Sequence, residues 1–179
     1  MSDSSVVHSR LEELKRSFDQ SFAEAPWRET EQVESFLSIR VGSHAYAVLL
    51  SQAAGLYVDR KVVGLPGPVT ELLGMAGFRG TVIPVFDLGA CLGYGLSSET
   101  GRWMLLVGKN EPIGLAFQEF DGYLRTPHKP EQRESVEEMR EHVSDVVVVG
   151  GIIRPVINLV SVVQALKRRV ASVGSSEGA

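Results

Sequence analysis

The chain has 179 residues, 44% of them apolar and 22% charged, with a formal net charge of −4 and one cysteine, Cys91. That length suits one compact domain or two small subdomains sharing a core. A lone cysteine excludes an internal disulfide, and the sequence has no apolar run of membrane-spanning length and no signal-peptide stretch in Met1–Arg10. The expected setting is a reducing cytoplasm. Valine (24) and glycine (18) together make 42 of the residues, a strand former and a turn former, which disfavours a helical bundle.

The first segment predicts an amphipathic helix. Val7, Leu11, Leu14, Phe18 and Phe22 recur on one face, Ser9 and Glu12 have capping-box spacing, and Pro26 supplies a stop. Residues 1–34 hold eight acids against four bases, which leaves 35–179 with fourteen of each. A neutral body lacks the basic face of a nucleic-acid binder, so no nucleic-acid partner is expected.

From Ser35 the period becomes two. Leu37, Ile39 and Val41 alternate with Ser38 and Arg40, Gly42-Ser43 turns, and Tyr46, Val48 and Leu50 complete a hairpin. Gly64–Pro68 reads as a loop, and Gly74–Gly80 as a flexible glycine-rich connection. Thr81–Phe86 reads as a strand, and Trp103–Val107 with Ile113–Phe117 as a second hairpin. Glu131–Val143 reads as a charged surface helix or mobile loop. Val146–Val149 has the composition of a strand buried on both faces. Ile152–Ile157 follows the Gly150-Gly151 turn, and Leu159–Arg169 closes as a helix with Val160, Val163 and Leu166 on one face. A disordered tail is expected over 171–179.

The chain also matches itself. Gly80-Thr81-Val82-Ile83-Pro84-Val85-Phe86-Asp87-Leu88 aligns without gaps to Gly151-Ile152-Ile153-Arg154-Pro155-Val156-Ile157-Asn158-Leu159, an offset of 71 residues. This predicts two similar β subdomains of about 60–70 residues each. Gly80 and Gly151 supply turns. Pro84 and Pro155 place their strands at an edge or a bulge. Asp87 and Asn158 cap the helical turn that follows. Short strands with Gly and Pro turns predict small barrels.

Catalytic patterns are missing from the sequence. His8, His44, His128 and His142 are scattered, there is no His-Glu-x-x-His pair and no Gly-x-Ser-x-Gly elbow. Asp87 reads as a cap before it reads as a base, and Cys91 as a buried thiol. No enzyme activity, cofactor or metal is expected. Arg79 stands apart: the second copy has Gly150 there, so the repeat does not need an arginine, which invites a recognition role, with a surface salt bridge as the alternative.

Arg79-Gly80-Thr81-Val82-Ile83-Pro84-Val85-Phe86-Asp87-Leu88 resembles the Arg-Gly-x-Val-Ile-Pro-Val-x-Asp-Leu signature of the CheW-like family, the coupling proteins of bacterial chemosensory arrays. Phe36–Tyr46 is similar to the family's opening hairpin, Ile113-Gly114-Leu115 to its mid-domain strand, and Val149–Leu166 to its closing strand and helix. The resemblance covers roughly residues 35–168 and implies a mainly β fold: two five-stranded SH3-like barrels sharing a core, flanked here by the N-terminal helix and a short C-terminal helix. The implied division is an acidic extension over 1–34, a CheW-like domain over 35–170, and the tail.

It also implies a non-catalytic adaptor that joins a methyl-accepting chemoreceptor's cytoplasmic tip to the regulatory domain of a CheA-type histidine kinase. Such an adaptor works in the cytoplasm at membrane-bound arrays, without inserting into the membrane, and serves chemotaxis or surface motility. Arg79, Phe78, Ala53 and Leu56 are the partner-binding residues so implied. The chain departs from the family pattern at Gly55, where the family commonly has Glu, at Gln118 and at Asn158. A diverged domain that senses a small ligand, or binds one partner alone, is the alternative reading.

Overall fold

A computed structural model describes residues 33–96, 101–127, 141–149 and 151–174. The expected N-terminal helix and most of Glu131–Val143 lie outside the described residues.

The body is mainly β. Its strands are β1 (Val33–Val41), β2 (His44–Leu49), β3 (Gly55–Val58), β4 (Val62–Val63), β5 (Leu72–Phe78), β6 (Thr81–Asp87), β7 (Trp103–Val107), β8 (Ile113–Phe117), β9 (Glu119–Pro127), β10 (Val143–Val149) and β11 (Ile152–Ile157). Two helices follow the repeated motifs: α1 (Leu88–Cys91) and α2 (Leu159–Gly174). The first sheet has the order β10-β11-β2-β1-β9 and the second the order β3-β7-β8-β6-β5-β4. The first has the five strands expected; the second has a sixth, the two-residue β4.

The sequence halves do not each form a sheet. The first half gives β1 and β2 to the first sheet and β3 to β6 to the second; the second half gives β7 and β8 to the second sheet and β9 to β11 to the first. The chain crosses after each opening hairpin. The repeat is therefore real in sequence, but the subdomains are interleaved.

One core joins both sheets. Leu37, Ile39, Val41, Tyr46 and Val48 of the first meet Phe86, Leu105, Leu115 and Phe117 of the second, and Leu88, Ile157, Leu159, Val162 and Leu166 complete the cluster. The alternation in β1 puts these side chains inward and Arg40 outward, as period two requires. Each sheet also wraps a smaller interior of its own, around Phe36, Ala47, Val147 and Val156 in the first and Ala76, Val85, Met104 and Ala116 in the second. The first sheet curls far enough for Arg154 of β11 to donate to Asp121 of β9 at 3.2 Å, although β2 and β1 lie between them.

Several sequence expectations change. Gly74–Phe78 is not a flexible connection but most of β5, paired from Gly74↔Val85 to Phe78↔Thr81; a Cβ at Gly74 would stand 2.0 Å from the Val63 carbonyl oxygen, so glycine there lets β4 approach. Neither proline-bearing strand is an edge. β6 lies between β5 and β8, and β11 between β10 and β2. The prolines are tolerated because β8 pairs only with Val85–Asp87 and β2 only with Val156 and Ile157, so the halves carrying Pro84 and Pro155 have one open side.

β10, by contrast, is an outer strand. Val147 is buried while Val148 is 44% exposed, so the valine run has one buried face, not two. In α2 the packed stripe is Leu159, Val162 and Leu166, with Val163 half-buried; Val160, one position round from Leu159, is exposed. That helix is not short either: its 16 residues reach Gly174, into the stretch expected to be disordered.

Candidate functional site

The two repeated motifs build the same corner twice. Asp87 Oδ1 accepts from Ala90 N at 2.9 Å, and Asn158 Oδ1 from Ser161 N at 3.1 Å, each capping the helix that follows. The backbone N–H of Asp87 donates to the carbonyl of Glu71, and that of Asn158 to the carbonyl of His142, both at 2.8 Å. Glu71 and His142 are themselves 71 positions apart, so the repeat reaches further back than the sequence match.

Both are buried polar residues, and both hold α2: Glu71 pairs with Arg169, and His142 Nδ1 lies 2.8 Å from Ser161 Oγ. Asp87 is thus a buried cap rather than a free base. Cys91 is buried, and burial, with Glu71 and Asp87 nearby, pushes its thiol up to about 12, so it is no nucleophile. Among the described residues no group of three His, Cys, Asp or Glu is placed to hold a metal ion.

The contact candidates separate into two places. Phe78 and Arg79 sit at the β5–β6 turn. Phe78 is 9% exposed and packs with Ile83, Leu106 and Tyr57. Arg79 and Gly80 form a two-residue turn with φ of +46° and +80°. Positive φ at both positions suits a hairpin turn of the I′ kind, where an arginine is strained and glycine is not. The Arg79 side chain is exposed, with its guanidinium carbon 5.5 Å from the Phe78 ring centroid. Ala53 and Leu56 lie elsewhere: both are half-buried and pack on the shared core. Leu56 faces the opposite side of β3 from Tyr57, so the structure does not bring it to Arg79.

Sequence reasoning missed Tyr57 and Arg60, which complete the turn cluster. Tyr57 meets Phe78 edge-on, centroids 4.6 Å apart, and the Arg60 guanidinium carbon lies 5.3 Å from the Tyr57 ring and 5.7 Å from Phe78. The one available signal was the aromatic at alternate position to Gly55; a loop arginine eighteen residues before Phe78 has none.

A groove of about 460 Å3 runs between β6 and α2, beside the turn before β8. Its lining includes Val82, Pro84, Phe86, Pro112, Val163 and Leu166, and it runs along the open side of β6. Its charged residues, Lys167 and Glu111, pair with each other. It offers apolar contact and no converging set of polar groups.

The body is thus mainly β, two interleaved sheets with an exposed cation–aromatic turn and an apolar groove. The chain belongs to the CheW-like family: the family's model, described as a CheW-like domain, matches residues 35–167. The scaffolding protein TtCheW from Thermoanaerobacter tengcongensis has a similar fold, with a TM-score of 0.57 at 15% identity, covering 70% of this chain and 88% of that one. Among curated proteins none matches the sequence. Members of the family are non-catalytic chemotaxis coupling adaptors, and this chain is accordingly an adaptor and not an enzyme.

Proposed function

We propose that the chain couples the cytoplasmic tip of a methyl-accepting chemoreceptor to the regulatory domain of a CheA-type histidine kinase, in the cytoplasm at membrane-bound arrays, controlling chemotaxis or surface motility. Each sheet, in this reading, is one SH3-like barrel. The observation that carries it is the exposed Arg79, held in a left-handed conformation on the Phe78 ring. Strain kept at an exposed side chain the fold does not need is the mark of a contact residue.

The groove supports the same reading. Its size falls within the range of small-ligand sites, roughly 300–1,000 Å3, but a small ligand needs a few oriented polar groups to fix it. With Lys167 and Glu111 satisfying each other, the groove favours the apolar face of a protein element over a sensed metabolite. Among the described residues no helix is long and apolar enough to cross a membrane.

The test is size-exclusion chromatography of the purified chain with a cognate kinase regulatory domain and a receptor-tip fragment, separately and together. A ternary complex is expected. Binding to the kinase alone, or to the receptor alone, would reduce the adaptor to a single-partner module. No complex with either at micromolar concentration would end the reading.

A further inference from the structure

The turn cluster carries charge that no described residue answers. Arg40, Arg102, Arg154 and Arg169 each meet a carboxylate. Arg60 and Arg79 are exposed, make no ion pair with a described residue, and lie against aromatic faces instead. The acid next to Arg60 in sequence is already engaged: Asp59 accepts from Arg102 Nε at 3.0 Å and Nη2 at 3.2 Å, through both its oxygens.

Gly55 is what admits the platform. A Cβ there would stand 2.7 Å from Cε2 and from the hydroxyl of Tyr57, so any side chain at that position displaces the ring.

On the reading that the chain is an adaptor, we propose that Arg60 and Arg79 together receive the carboxylate side chains of an acidic segment on a protein partner. A guanidinium held over a ring by cation–π attraction makes no hydrogen bond to that ring, so its planar fork of N–H donors is left for a carboxylate. The contact restricts each side chain before the partner arrives, which lowers the entropy lost on binding. A nucleic acid is disfavoured by the neutral body, with fourteen acids and fourteen bases over 35–179.

The test is isothermal titration of the full chain against the kinase regulatory domain and against the receptor-tip fragment, at low and at high salt. For at least one partner, Arg60→Gln weakens binding about fivefold and the Arg60→Glu/Arg79→Glu pair more than about tenfold, with a shallower salt dependence than the parent chain. An acidic residue of that partner changed to arginine restores binding to Arg60→Glu. Melting temperatures are measured alongside; if the double reversal melts well below the parent, the single Gln variants decide.

Binding to a partner that is indifferent to both arginines and to salt overturns the proposal while leaving the adaptor reading intact. Failure of the parent chain to bind either partner overturns that reading and this one with it. Arginine-dependent binding of inorganic phosphate or of a uridine homopolymer, with unaltered partner affinity, would make the cluster a phosphate site and refute the carboxylate assignment.

Discussion

Removing the buried cap tests how the repeated corner is held. Asp87 is 2% exposed, and its Oδ1 is the acceptor for Ala90 N at 2.9 Å. In Asp87→Ala that amide loses its partner where water cannot replace it. A lost cap costs about 1 kcal/mol, and a buried orphan donor about 1–3 kcal/mol, so a net loss of about 2 kcal/mol is expected. Asn158, the matching cap, is half-buried. Water reaches the freed amide there, and Asn158→Ala costs about 1 kcal/mol. At about 2–4 °C per kcal/mol for a domain of this size, Asp87→Ala lowers Tm by about 4–8 °C and Asn158→Ala by about half as much. Asp87→Asn, which gives the first corner the residue of the second, keeps the acceptor and stays within about 1 kcal/mol of the parent chain. Calorimetry on the three variants decides. If Asp87→Asn is as damaging as Asp87→Ala, the carboxylate acts through its charge and the cap argument fails.

Three further outcomes follow from single sites. Burial holds the His142 imidazole below its ordinary pKa of 6.5, opposed by Glu141 and reinforced by Arg169 and Arg168. The unfolded chain therefore binds the proton first, so this contribution is complete above pH 6.5 and is lost as pH falls from there to the lower folded value. Tm should drop on acidification through that window, and His142→Asn, which tolerates the φ of +79°, should flatten the drop; an unchanged profile would contradict it. Cys91, its thiol pushed up to about 12, should resist a disulfide reagent at mildly alkaline pH until the protein unfolds; rapid labelling of folded protein would refute its burial. Arg79→Gly relieves a left-handed strain of about 1 kcal/mol and gives up a cation–π contact of about 0.5–1 kcal/mol, so Tm moves by no more than about 4 °C. Arg79→Val, with a β-branched side chain at φ +46°, should melt distinctly lower, and equal melting of the two would remove the strain argument.

Much of the body was legible because period and punctuation are local. The first hairpin shows in the alternation of Leu37, Ile39 and Val41, and the second is bounded as read, at Trp103–Val107 and Ile113–Phe117. The caps Asp87 and Asn158 were legible for the same reason. What failed depends on neighbours distant in sequence. Whether Pro84 sits at an edge is decided by how far β8 extends beside it. Whether Val148 is buried is decided by what packs against its face of β10, and that comes from elements distant in sequence. The small residues of Gly74–Phe78 looked like flexibility because nothing local distinguishes a loose segment from a closely packed strand. The candidate site was half legible: Arg79 stood out as a residue the repeat does not require, whereas Tyr57 and Arg60 reach it only through the pairing of β3 into the second sheet.

That crossing of strands has a consequence for how the protein can be cut. A break between α1 and β7 would leave two pieces, each holding the opening hairpin of one sheet and the remaining strands of the other. Neither piece owns a complete sheet, so the pair should reconstitute like the subunits of a swapped dimer, with a dependence on concentration that the intact chain escapes. Covalent continuity makes that exchange intramolecular. The turn cluster on one sheet and the surfaces of the other are thereby kept in fixed proportion, one to one, at any abundance in the cell.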